Sequence, residues 1–186
     1  MDLNRLHWLA VLLMLGAGNA GSAEPKVIRA FLQPMKERKQ APAFLLEDAA
    51  GKKASLSAYH GKVVLLDFWA TECGGCILEM PGFMDLAQAY NKKGLAVVGI
   101  SMDIAYEDLK NADEAWSRVK PFVQTHKVNY PILMGDDVVT KRYEIKAMPV
   151  TYLIDKSGRI AASYVGVVDQ ANLKANIQIM LKESGH

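Results

Sequence analysis

Cysteine is almost missing from this chain. Its 186 residues contain two, Cys73 and Cys76, so a disulfide framework is excluded. A thiolate zinc site is left short of ligands, because zinc takes three or four protein donors. An excess of one charge is missing as well: 22 Lys and Arg stand against 20 Asp and Glu. No basic run interleaves with aromatics, so a surface that tracks nucleic-acid phosphates is excluded. Long hydrophobic runs are also lacking. The N-terminal one, Leu6 to Leu15, is broken by His7 and is shorter than the roughly 20 residues that span a bilayer. Internal repeats and low-complexity tracts are absent, and with 51% apolar residues the chain suits one globular domain.

What is present begins with an ordered N-terminus. Arg5 supplies a positive charge, the apolar run follows, and small residues dominate from Gly16 to Ala23. That order is the pattern of a secretory signal, to be kept out of the fold. Small residues at −3 and −1 allow cleavage after Ala20 or after Ala23; retention as an anchor is the weaker reading. No cysteine lies near the exit, so a lipid anchor on an N-terminal Cys is not expected. The organisation that follows is a signal over 1–23, a linker over 24–40 and a domain over 41–186. The expected location is periplasmic or otherwise extracytoplasmic.

In an exported protein a structural disulfide usually joins distant segments, because closing a longer loop constrains the unfolded chain more. Here only Gly74 and Gly75 separate the two cysteines. A bridge that closes so small a loop adds little stability, and its use is redox chemistry.

Hydrophobic periodicity places these residues. The polar stretch ending Lys36-Glu37-Arg38-Lys39-Gln40 reads as weakly packed linker with at most one short helix. Turn residues at Asp48 to Lys52 predict a β-hairpin over 43–57. Val63 to Phe68 is a continuous β-prone run that fits a strand buried on both faces. Ile77 to Lys93 reads as helix, with Ile77, Met80, Met84 and Ala87 on one face, a kink at Pro81 and Gly94 as its stop. A second buried strand covers Leu95 to Ser101, and a helical region around Asp113–His126 is interrupted by Pro121. Tyr130 to Met134 is short and strand-like. Val150–Ile154 and Ile160–Val165 form a second hairpin. A last helix begins near Asp169 and lines Leu173, Ile177, Met180 and Leu181 along one stripe. Alternating strands and helices predict an α/β fold with a central mixed sheet, helices on both faces, an N-terminal hairpin and a helical insertion.

Cys73 follows a buried strand and opens a helix, where unpaired N–H groups and the positive end of the helix dipole favour a thiolate. Cys76, one turn on, can reach its sulfur. The expected chemistry is attack by Cys73 on a partner's disulfide, with Cys76 resolving the mixed disulfide; no cofactor is needed. Asp67 sits in an otherwise apolar strand. Alternation directs it inward beneath the cysteines, where burial would raise its pKa and let it exchange a proton. His60 and His126 lack ligand spacing and read as surface or packing residues.

The run Asp67-Phe68-Trp69-Ala70-Thr71-Glu72-Cys73-Gly74-Gly75-Cys76 resembles the active-site segment of thioredoxin-fold oxidoreductases. The wider pattern resembles the TlpA/ResA-type exported disulfide reductases. It comprises Ala41-Pro42-Ala43-Phe44, Ser55-Leu56, Gly61-Lys62, Glu79-Met80-Pro81 and the insertion between 103 and 128. The likeness covers about 41–183. It implies a thioredoxin-like fold, a cis-proline at Met148-Pro149 facing the cysteines, and a substrate-contacting set of Met148, Pro149 and Trp69. An X-Pro bond is the one place where cis is cheap, and the backbone there could pair with an extended substrate chain.

Two departures from that pattern bear on the chemistry. Glu72 stands where the family usually has Trp, and an anion beside Cys73 opposes the helix dipole. Gly74-Gly75 replaces a pair that commonly contains Pro and loosens the first turn. The resemblance implies client proteins with thiols or disulfides, such as apocytochrome haem-attachment cysteines. It also implies a membrane thiol-electron donor of the DsbD or CcdA kind. A disulfide oxidase or isomerase uses the same groups in the other direction, and a thiolate copper module is the reading from another class. A peroxidase fits less well, since Phe68 and Ala70 occupy the ground where its Pro and Thr belong.

Overall fold

The computed structural model describes residues 26–184; the signal-sequence reading concerns residues outside that range. A short hairpin comes first, β1 (Leu45–Glu47) and β2 (Lys53–Ser55), and forms its own two-stranded sheet. Next come β3 (Val63–Trp69), α1 (Gly74–Tyr90) and β4 (Leu95–Ser101). The insertion holds α2 (Asp103–Tyr106) and α3 (Ala112–Thr125). The remainder is β5 (Ile132–Met134), α4 (Asp137–Arg142), β6 (Val150–Ile154), β7 (Ile160–Val165) and α5 (Gln170–Lys182).

The main sheet has the order β5-β4-β3-β6-β7. β3, β4 and β5 run parallel, while β6 and β7 are antiparallel additions on the β3 side. This is the expected mixed sheet, and β3, buried along its whole length, is its centre. Alternation on β3 divides the core. Val63, Leu65 and Trp69 face a layer built from α1, α3 and α5. Val64, Leu66 and Phe68 face a second layer, closed by Leu46 of the hairpin, Leu56 and Val139 of α4. Helices cover both faces but unequally, with the long ones on the face that carries the cysteines.

Several boundaries differ from the sequence reading. α1 starts at Gly74, three residues before Ile77, because Cys73 caps it: its sulfur accepts the Cys76 N–H at 3.3 Å. Pro81 and Pro121 lie inside α1 and α3, and neither ends its helix. A missing N–H costs one helix bond, and burial of the apolar face outweighs it. α4 had no counterpart in the sequence reading; its signal is Asp136, whose carboxylate accepts the Val139 N–H. Asp169 caps α5 as expected.

The largest correction concerns the stretch read as a weakly packed linker. Residues 26–40 lie against the domain. Ile28 bridges to Val168, its N–H donating to Val167 O and its carbonyl accepting from Asp169 N–H, and Gln33 N–H donates to Ala161 O. Arg38 is buried: its guanidinium meets both carboxylate oxygens of Glu183 at 2.7 Å and Asp155 at 3.3 Å.

Gly99, at the middle of β4, shows how tightly the cysteine-bearing layer is filled. A Cβ there would stand 2.6 Å from Ile132 Cδ1 and 2.9 Å from Trp69 Nε1. Gly99→Ala is therefore expected to lower stability by about 1–2 kcal/mol, the cost of moving packed neighbours. Equilibrium urea unfolding measures it, and an unchanged midpoint would mean the layer yields more easily than its packing implies.

Candidate active site

β3 ends at Trp69, and Ala70-Thr71-Glu72 carries the chain to Cys73. That short loop is held by Asp103, a buried carboxylate at the start of α2. Asp103 accepts from the Thr71 hydroxyl and from the Thr71 N–H at 3.2 Å, and its other oxygen accepts from the Ser101 hydroxyl at 2.8 Å. The Met102 N–H adds a bond to Trp69 O at 2.7 Å. The end of β4 thus fixes where the end of β3 delivers the first cysteine.

Cys73 and Cys76 are joined as a disulfide. Both are nearly enclosed, at 4% and 1% exposure. Opposite them the Met148-Pro149 peptide is cis. Pro149 presses on the pair itself: a Cβ on Gly75 would lie 3.1 Å from Pro149 Cδ and 3.2 Å from Val167 Cγ2. Glycine at position 75 is thus a packing requirement, whereas a Cβ on Gly74 would meet nothing within 4 Å. Met148 lines a groove of about 240 Å³ with Met102, Tyr106 and Ile145, and with Thr140 and Lys146 as its polar members, so a largely apolar groove adjoins the proline loop.

Two carboxyls lie in the cysteine-bearing layer. Asp67 is 1% exposed, and its Oδ1 makes no hydrogen bond within the protein. Burial, reinforced by the neighbouring Glu79, pushes its pKa well above the ordinary carboxylate range. Glu79 projects from α1, where one oxygen accepts the Val168 N–H and Oε2 has no partner. Burial raises its carboxyl to about 7, against the opposing pull of the Val168 bond. Both carboxyls therefore keep their protons to higher pH than an ordinary carboxylate. At the rim, Glu72 is exposed and stands near Glu107. Burial, then Asp103 and Glu72, raise the Glu107 carboxyl while Arg118 opposes them.

The site thus combines a disulfide at a helix N-terminus, a cis-proline against it and two buried acids in the same layer of the core. Comparison with known proteins assigns the chain by sequence: a profile described as the AhpC/TSA family matches residues 38–163. The chain belongs to the AhpC/TSA family. Among curated proteins it is 31% identical over 173 residues to the thioredoxin-like protein YneN of Bacillus subtilis, covering 92% of this chain and 97% of that one. It is 29% identical over 179 residues to the thiol-disulfide oxidoreductase ResA of Bacillus cereus, covering 96% and 98%. A crystal structure described as a thiol:disulfide interchange protein DsbE from Chlorobium tepidum superposes with a TM-score of 0.67 at 26% identity, covering 84% of this chain and 99% of that one. This AhpC/TSA member is a thiol–disulfide oxidoreductase of the ResA, thioredoxin-like type.

Of the residues singled out by sequence, the structure brings Cys73, Cys76, Asp67, Met148 and Pro149 to one end of the sheet. Trp69 is the exception. It is fully buried, its ring 5.3 Å from that of Phe122 on α3, and it offers no surface to a substrate. The reason is alternation: Trp69 shares its face of β3 with Leu65 and Asp67, towards the core. The sequence reading also missed two groups of this AhpC/TSA member. Glu79 was visible in principle, since it lies three residues after Cys76 on the same helix face. Asp103 gave no such signal, because its partner Thr71 is on another strand's loop. His126 stacks on Phe122 at 4.1 Å, away from the cysteines.

Proposed function

We propose that this chain is an exported dithiol–disulfide reductase acting on client proteins through Cys73 and Cys76. In the reduced enzyme Cys73 thiolate attacks a client disulfide, forming the mixed disulfide and expelling one client thiolate, which takes a proton from solvent. The Cys76 thiol then passes its proton to the Asp67–Glu79 pair and attacks the Cys73 sulfur. That closes the Cys73–Cys76 bond and expels the second client thiolate, so two electrons pass from enzyme to client. Met148, before the cis-proline, presents backbone to the client chain, Pro149 packs beside it with its carbonyl held by the Gly166 N–H, and the groove beside Met148 takes an apolar residue near the client cysteine.

The observation that carries the reducing direction is the acid around the sulfurs. A strong oxidant is strong because its reduced, thiolate form is stabilised. Here the exposed Glu72 carboxylate, next to Cys73 in the chain, disfavours extra negative charge and so favours the disulfide over the dithiolate. The membrane donor that returns electrons would be a thiol transporter of the DsbD or CcdA kind. Apocytochrome cysteines are the client class the likeness to ResA supports, in an extracytoplasmic compartment. Among the described residues no helix is long and apolar enough to cross a membrane.

Equilibration against a dithiothreitol buffer tests the direction. A potential at or below about −270 mV is expected of a reductant, and one near about −120 mV would make this an oxidase instead.

The buried acids predict a pH dependence of stability. Glu79 is raised to about 7 and Asp67 is raised in the same direction, so the folded protein keeps protons that the unfolded chain releases from about pH 4 upward. The contribution of these two groups to the stability of the oxidised protein should be largest in acid and fall as pH rises, that of Glu79 being lost through about pH 7. Glu79→Gln keeps an acceptor for Val168 N–H and should flatten that slope. Denaturation midpoints across the range measure it, and an unchanged slope in the variant would remove Glu79 from the titration.

A further inference from the structure

Five buried side-chain atoms in the cysteine-bearing layer make no hydrogen bond inside the protein: the Trp69 indole Nε1, beside Gly99, and four oxygens, Asp67 Oδ1, Glu79 Oε2, the Tyr130 hydroxyl and the Thr151 hydroxyl. They come from four segments. Asp67 and Thr151 are directly paired across β3 and β6 and so share a face of the sheet. Glu79 descends from α1, and the loop before β5 brings in Tyr130, near enough to interact with both carboxyls. On β4, between them, Gly99 pairs with Asp67 and contributes no side chain.

Buried polar atoms are nearly always partnered, and a buried water needs two to four such partners. We propose that these four oxygens form a site for one or two buried water molecules, and that the Tyr130 hydroxyl, donating into that site, sets the proton affinity of the Asp67–Glu79 pair. Tyr130 is thus a positioning residue for thiol–disulfide exchange. The inference rests on the reading of the two carboxyls as proton-handling groups.

The chemistry assigns each member a part. Burial, with the two carboxyls nearby, pushes the Tyr130 phenol far above its ordinary range, so it remains a neutral donor wherever the enzyme works. A donor that reaches a carboxylate through water stabilises the charged form and restrains the rise that burial causes. The Thr151 hydroxyl can donate or accept and completes the water's coordination. α1 adds Cys73 and Cys76, and β7 adds Tyr164, already bonded to Asn176 of α5. The residues that β4, β5 and α3 bury in this layer carry no ionisable side chain. Tyr130 also lines a surface basin of about 780 Å³ near the end of α1 and the start of β4.

Tyr130→Phe keeps that ring and removes only the oxygen. In the full chain, the pH dependence of exchange with dithiothreitol is measured together with the infrared C=O stretch of protonated carboxyls in the oxidised protein. The midpoint should rise by about one pH unit, the worth of a hydrogen bond to a charged group. The carboxyl band should shift as a bonded partner is lost. Thr151→Val, which also conserves volume, should move both in the same direction and stands in should Tyr130→Phe fail to fold. An unchanged midpoint and band in both variants, with Asp67→Asn and Glu79→Gln still abolishing the titration, would overturn the water site alone. If those two carboxyl variants leave the profile untouched, the proton-handling reading fails instead, and the infrared band still decides whether Tyr130 reaches the pair.

Discussion

Cys73→Ser should leave no exchange above the uncatalysed reaction, whereas Cys76→Ser should bind its client and hold it. The asymmetry follows from position. Cys73 caps α1 and its sulfur accepts the Cys76 N–H, so it has the helix N-terminus to support a thiolate. Cys76 lies one turn deeper and at 1% exposure, reached by the neighbouring sulfur more readily than by a client. A hydroxyl in place of the first sulfur cannot form the mixed disulfide at all. A hydroxyl in place of the second lets the mixed disulfide form and removes the group that resolves it. Non-reducing electrophoresis of each variant after incubation with a disulfide-bonded client, followed by mass measurement of any adduct, gives the result. An adduct on Cys76 in the Cys73→Ser protein would reverse the roles.

Arg38→Ala should cost about 2–3 kcal/mol, since it removes one partner from a buried ion cluster. For a domain of this size that is a fall of roughly 5–10 °C in Tm. The Arg38 side chain is 2% exposed and Asp155 5%. The guanidinium ties three segments at once: Nε donates to Gln33 O at 3.0 Å, Glu183 at the end of α5 accepts from Nη1 and Nη2, and Asp155 in the β6–β7 turn also accepts from Nη1. Asp155 keeps Arg159, at 3.2 Å, and two turn N–H groups, which holds the loss below the full cost of a broken buried pair. Arg38→Lys should recover little, because an ammonium cannot reproduce the forked contact. Thermal unfolding of the oxidised protein tests both; a Tm within a degree of the parent would mean the cluster only decorates the surface of a fold held elsewhere. The exchange chemistry should be unaffected, as no member of the cluster lies at the cysteine end of the sheet.

The positions of the strands and the cysteine pair were legible because their signals are local. A continuous apolar run marks β3, two glycines between two cysteines mark a redox pair, and Asp169 before a helical stripe marks the start of α5. Asp67 was legible for a related reason, since a lone carboxyl in an apolar strand must either be paired or perturbed. Arg38 was not. It stands in a run of charged residues that looks solvated, and only the meeting of Gln33, Asp155 and Glu183 makes it a buried residue. Trp69 misled in the opposite way, because an aromatic near an active-site cysteine resembles a docking surface until strand alternation turns it inward.

The amino-acid pattern by itself determined which residues could do the chemistry: a thiol pair with small-loop spacing at a strand-to-helix junction, one acid in the strand before it, and one X-Pro bond before a later strand. Tertiary structure alone decided their surroundings. It brought Pro149 and Val167 against Gly75, set Glu79 beside Asp67, placed Asp103 under the Thr71 loop, and directed Tyr130 and Thr151 into the same layer. Such contacts join segments far apart in the chain. Proton affinity and thiolate stability depend on burial and neighbouring charge across those segments, which side-chain spacing along one segment does not encode.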